Sequence, residues 1–125
     1  MNKIPSIIIS VKTTYLENES QPDKSHFVFA YQISIENRGT IPAKLLDRHW
    51  VISDSNGRDI TVSGEGVVGE QPELQPGAIF TYTSTAVIQT PVGIMKGQYR
   101  WISDTQEYFY TPIPQFTLSI PRTLH

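Results

Sequence analysis

The sequence predicts an all-β fold, a two-sheet antiparallel sandwich, on three observations. Apolar residues recur at every second position, and no stretch repeats them at helical spacing. Nine prolines and eight glycines cut the chain into short runs, and a proline inside a helix costs about 3 kcal/mol. The longest proline-free stretch, Ala43 to Gln71, is itself broken by Asn56-Gly57 and by Gly64, Gly66 and Gly69.

The elements follow in order. Ile7, Ile9 and Val11 share one face of a first strand within Ile4 to Val11. That segment holds Pro5, Ser6 and Ser10 and is too short for a membrane helix, and no cleavage site follows it. Membrane insertion is therefore not expected, and a cytoplasmic location is. Asn18 to Ser25 is a polar loop around Pro22. Phe27, Phe29, Tyr31, Ile33 and Ile35 then alternate with Val28, Ala30, Gln32, Ser34 and Glu36, a strand with one buried face. Arg38-Gly39-Thr40 is a short turn, and Leu46, Trp50 and Ile52 share a face of the next segment. Asp54-Ser55-Asn56-Gly57 is a hairpin signal, because a two-residue Asn-Gly turn accepts positive φ at both positions. After the turn Gln75-Pro76-Gly77, Phe80, Tyr82 and Ser84 alternate with Thr81, Thr83 and Thr85. Thr90-Pro91-Val92-Gly93 turns into a strand carrying Met95, Gly97, Tyr99 and Trp101 on one face. Phe116, Leu118 and Ile120 share a face of the last strand. About six or seven strands at this spacing, with no helix, make a sandwich or barrel. Phe29, Ile33, Tyr82, Tyr99 and Trp101 are the expected core. No linker or internal repeat interrupts residues 1–125, which read as one domain.

Composition narrows the function classes. At 38% hydrophobic residues and 18% charged, the chain can bury a core and does not read as disordered. The formal net charge is -2, without the basic excess of a nucleic-acid binder. Lys96 and Arg100 alternate with Gln98 on one strand face, a small positive footprint. The chain has no cysteine, which excludes disulfides and thiolate metal sites.

One segment invites a chemical reading: Val62-Ser63-Gly64-Glu65-Gly66-Val67-Val68-Gly69-Glu70-Gln71-Pro72. It contains G-x-G-x-x-G, the dinucleotide-binding pattern, which works only where a strand passes into a helix whose N-terminus carries the pyrophosphate. Pro72 and Pro76 leave no room for that helix, and no acidic residue stands about 20 positions on to hold a ribose. A P-loop needs lysine after its last glycine, where this chain has Glu70. Three readings of Gly64, Glu65, Gly66, Val67, Val68, Gly69 and Glu70 stay open. The loop is a tight crossover between the sheets, or a backbone nest for a small anion, or a docking surface for a protein partner. The two valines decide the last: both inward continues the core, one exposed anchors a partner. His26, His49 and His125 show no metal-ligand spacing, and Asp47, Asp54 and Asp59 suit turns better than a calcium loop. Ser63 is a lone hydroxyl without a nucleophile elbow. No catalytic residue, metal site or cofactor is expected.

The chain resembles the bacterial ApaG family from about Ile7 to His125. The resemblance is carried by Tyr31-Gln32-Ile33-Ser34-Ile35-Glu36-Asn37, by Leu46, Arg48 and Trp50, by Gly57-Arg58, and most specifically by Val62 to Pro72. Leu74, Pro76-Gly77, Phe80 to Ser84, Thr90-Pro91, Gly93, Met95, Gly97, Tyr99, Phe116, Leu118 and Pro121 continue it. One departure is Thr85, where the family usually has glycine. The resemblance implies an immunoglobulin-like or fibronectin type III-like sandwich. It implies an association with cobalt resistance and magnesium efflux, and its eukaryotic fusions imply an interaction module, with no catalytic residues to carry over. The expected function is a non-enzymatic protein-interaction domain connected with divalent-cation homeostasis. The alternative is a small-ligand module binding pyrophosphate, a nucleotide or a divalent metal near the glycine loop.

Overall fold

A computed structural model describes residues 6–121, so His125 lies outside the described residues. The strands in chain order are β1 (Ile7–Tyr15), β2 (Phe27–Asn37), β3 (Ala43–Asp54), β4 (Asp59–Glu65), β5 (Glu73–Leu74), β6 (Ile79–Ile88), β7 (Val92–Ser103) and β8 (Tyr108–Ser119). Two 3₁₀ turns, Glu17–Glu19 and Pro22–Lys24, break the loop between β1 and β2. One antiparallel sheet has the order β1-β2-β6, and the other β4-β3-β7-β8 with β5 paired to β3. The two sheets pack face to face as the expected sandwich. Among the described residues the strands number eight rather than six or seven: β4 offers only Ile60 and Val62 as an apolar alternation, and β5 is two residues long. Among the described residues, no helix is long and apolar enough to cross a membrane.

Period-two alternation becomes burial as expected. Phe27, Phe29, Tyr31, Ile33 and Ile35 all point into the core from β2, and Tyr82, Met95, Tyr99, Trp101 and Leu118 meet them. Aromatic rings fill the centre edge to face: Trp50 lies 5.5 Å from Tyr31, 5.8 Å from Phe116 and 6.5 Å from Tyr99 between centroids. Gly97 stands opposite Trp50 because a Cβ there would lie 2.9 Å from the indole and 2.3 Å from the His49 carbonyl. The Tyr82 and Tyr99 hydroxyls join the two sheets through a 2.5 Å hydrogen bond. Burial pushes the Tyr82 phenol up to about 12 and raises Tyr99 as well.

Bulges set the phase of two strands. The β3–β7 register shifts between Leu45 and Asp47, which leaves Leu46 as the extra residue. Ala43 and Leu45 are buried before the bulge, and Trp50 and Ile52 after it. This corrects the expected Leu46, Trp50 and Ile52 face: Leu45 takes the inward place and Leu46 is only half-buried. In β8 the register shifts opposite Lys96, so that Ile113 and Phe116 both face inward around Pro114-Gln115. β8 is an edge strand, where Pro112 and Pro114 can sit without breaking an inner ladder. Thr85 lies within β6 opposite Ala30, inside a strand rather than in a turn.

Candidate functional site

The bulge at Leu46 positions the glycine loop. The Leu46 carbonyl accepts the Gly66 N–H at 2.8 Å and the Gln71 Nε2 at 2.9 Å, one from each end of the loop. Leu45 N–H donates to Pro72 O at 3.0 Å. Arg48 lays its guanidinium against Gly64, where a Cβ would come within 2.8 Å of Nη1. From there Nη1 donates to Glu65 O at 3.2 Å and Gly66 O at 2.9 Å. The loop is thus held on β3 at both ends. It joins β4 to β5, both partners of β3, so it does not cross between the sheets as its sequence position suggests. The crossover follows β5, at Gln75-Pro76-Gly77.

At its tip the loop is a two-residue hairpin. Val67 N–H donates to Glu70 O at 2.8 Å and Glu70 N–H to Val67 O at 2.9 Å. Val68 (φ 43°) and Gly69 (φ 82°) form the corner, and positive φ at both positions marks a type I′ turn. A β-branched residue at positive φ is an outlier. The two valines divide the roles considered for them: Val67 is fully buried in the core, and Val68 is 53% exposed. Glu65 and Glu70 are exposed beside Val68. Gly66, at φ 66°, cannot carry a side chain, because its Cβ would meet Glu70 O at 2.2 Å. The N–H groups of Gly66, Val67 and Glu70 are all donated within the chain, so these three are not available to an anion. No helix begins after the last glycine.

Beside the loop, an open groove of about 630 Å³ runs over the outer face of the larger sheet, lined among others by Asp47, His49, Ser63, Glu65, Gln98 and Arg100. His49 Nδ1 and Ser63 Oγ are 2.6 Å apart, and both residues are exposed. Asp47 is held by Arg100, through Nε at 2.8 Å and Nη2 at 2.7 Å. That carboxylate raises the Arg100 pKa, and Arg100 also lies 5.4 Å from the Tyr108 ring centroid. The sequence alone shows no partner for Ser63, because the pairing depends on the β3–β4 register. A strict two-residue Asn56-Gly57 turn would set His49 against Gly64. The observed turn is one residue longer: Asp54 N–H donates to Arg58 O, Gly57 alone has positive φ, and His49 faces Ser63. Asp54 does act as a turn residue, its Oδ1 accepting from the N–H groups of Asn56 and Arg58. Among the described residues, no group of three or more His, Cys, Asp or Glu is placed to hold a metal ion.

The residues that carry the family resemblance, Leu46, Arg48 and Val62 to Pro72, are thus one physical unit, a bulge gripping a strained hairpin. A family model described as the ApaG domain matches residues 17–103. The chain belongs to the ApaG family. Protein ApaG of Methylococcus capsulatus is 53% identical over 117 residues, which cover 94% of this chain and 93% of the relative. Protein ApaG of Pectobacterium atrosepticum is 44% identical over 125 residues, the full length of both chains. The crystal structure of the Bordetella pertussis ApaA protein is 41% identical, with a TM-score of 0.93 over 97% of this chain and 98% of that one. The relatives cover the whole sandwich, and the family model, which leaves out β1 and β8, includes the loop at residues 64–72.

Proposed function

We propose that this ApaG domain is a non-enzymatic protein-interaction module that docks its partner on the tip of the glycine loop. Val68 carries this reading. It is apolar, half exposed, and held at φ 43° on a loop fastened at both ends. Strained backbone of this kind persists only where surrounding contacts impose it, and it concentrates at functional sites. Glu65 and Glu70 flank the valine and would steer a basic surface toward it. The open His49–Ser63 pair supports a non-catalytic reading, since the nearest carboxylate on its strand, Asp47, is engaged by Arg100 instead of orienting the imidazole. The association with cobalt and magnesium handling then runs through the partner.

The test compares wild type with Val68→Ser as bait in host lysate, with cross-linking to residues 65–70 identifying the contact. Val68→Ser should keep the wild-type denaturant midpoint and lose the cross-linked partner. Retention of the same cross-links at undiminished yield would refute docking at the loop.

A further inference from the structure

The four sheet edges are not alike. β8 is interrupted by Pro112, Pro114 and a bulge. β4 carries Asp59 and Glu65, and β1 carries Lys12. Prolines, bulges and charges are the usual guards against edge-to-edge pairing. β6 has none of them: it runs ten residues, Ile79–Ile88, without proline, glycine or charge.

The ladder shows which β6 groups face outward. Leu16 N–H donates to Val28 O, Arg38 N–H to Ser6 O and Asn37 N–H to Ala78 O. Even-numbered residues of β2 therefore bond toward β1 and odd-numbered ones toward β6, because bonding direction alternates along an antiparallel ladder. With Ile35 opposite Phe80, the even residues of β6 face β2. The N–H and C=O groups of Ile79, Thr81, Thr83, Thr85 and Val87 point to the free edge. Among the described residues, none of these five finds a backbone or side-chain partner for its main-chain groups beyond β2.

The side chains of these five residues are symmetric in character about Thr83. Threonine stands at 81 and 85, and an exposed β-branched aliphatic residue at each end, Ile79 (62% exposed) and Val87 (44%). A two-fold axis through Thr83 of two antiparallel β6 strands sets Thr83 against Thr83, Thr81 against Thr85 and Ile79 against Val87. Each is a pair whose main-chain groups already face outward. The geometry points to β6 as the interface of a homodimer, which joins two three-stranded sheets into one of six through a self-complementary edge. A foreign peptide would find no charge on this strand to recognise, whereas a second copy matches every exposed side chain. Cross-strand threonine and β-branched pairs are themselves favourable. One strand pair buries little area, so the dimer is weak and concentration-dependent.

Sedimentation velocity on the full chain, from micromolar to millimolar concentration, tests the interface and its register. In Thr81→Lys/Thr85→Lys each lysine faces a lysine of the other copy. In Thr81→Lys/Thr85→Glu each lysine faces a glutamate. Both variants lose the same Thr81–Ser34 hydroxyl contact, and near-UV circular dichroism checks that the monomer fold is intact in each. Wild type should dimerise, the lysine pair should weaken the dimer about tenfold or more, and the lysine–glutamate pair should restore it. A chain that stays monomeric throughout overturns the inference. So does a dimer indifferent to the lysine pair, or one not rescued by the opposite charge. Because Val68 lies outside β6, none of these outcomes bears on loop docking.

Discussion

Two tight turns in the same sheet, Asp54–Arg58 and Val67–Glu70, are built in opposite ways. Both end a hairpin and both place a glycine at positive φ, Gly57 at 81° and Gly69 at 82°. At the first, local chemistry is sufficient. Asp54 caps the N–H groups of Asn56 and Arg58, and Ser55 to Arg58 are exposed. At the second, local chemistry is opposed. A valine occupies the corner position that favours asparagine or glycine, and contacts from β3 hold it there. The first turn is set by its own residues, and the second is imposed by the strand it packs against.

The comparison is broken most forcefully at Val67. Its side chain is fully buried, so Val67→Ser removes apolar volume and leaves a hydroxyl in the core. The expected loss is about 3 kcal/mol or more, read as a lower urea midpoint at unchanged slope. A midpoint within error of wild type would mean that the hairpin is not fastened to the core. Gly66→Ala comes next. It sets a methyl 2.2 Å from Glu70 O at φ 66°, and the expected loss is about 2 kcal/mol. No residue of the Asp54–Arg58 turn should approach either value.

Much of the fold was legible, and the exceptions share a cause. Strand β2 announces its buried face because nothing interrupts its period from Phe27 to Ile35. Strand β3 does not, because the bulge at Leu46 inverts the phase between Leu45 and Trp50. A bulge carries no composition signal of its own; here only its consequence, a carbonyl free to hold Gly66 and Gln71, explains it. The candidate site suffered twice. Asn56-Gly57 suggested a two-residue turn, which hid the His49–Ser63 pair by one residue of register. Val68-Gly69 carries no turn signal in the sequence, because valine is disfavoured at positive φ. The glycines of the loop were conspicuous for a motif whose helix is absent, and their use is steric: Gly64 admits the Arg48 guanidinium and Gly66 the Glu70 carbonyl.

A smaller effect sharpens the comparison at the glycine of the first turn. Gly57 has positive φ but open space, with nothing within 4 Å of a Cβ. Gly57→Ala should therefore cost only the left-handed penalty, about 1 kcal/mol, with no second component from a clash. A loss equal to that of Gly66→Ala would show that the first turn is also packed from outside.

The smallest effect is the most telling, because its sign is reversed. Val68→Asn keeps the hairpin and replaces a residue strained at φ 43° by one that tolerates the left-handed region. Its side chain is already 53% exposed, so little buried area is lost. The domain should become more stable, by about 1 kcal/mol, while the partner contact assigned to Val68 is lost. Asn56→Val in the other turn is the matched control. Asn56 is not at positive φ and contributes its N–H rather than its side chain to the Asp54 carboxylate, so that change should fall within about 0.5 kcal/mol of wild type. Denaturant midpoints of the two variants on one scale decide the matter. If Val68→Asn gains stability and Asn56→Val is neutral, the strain belongs to the loop tip alone. If Val68→Asn loses stability, Val68 packs in a way its exposure hides, and the case for a displayed valine falls.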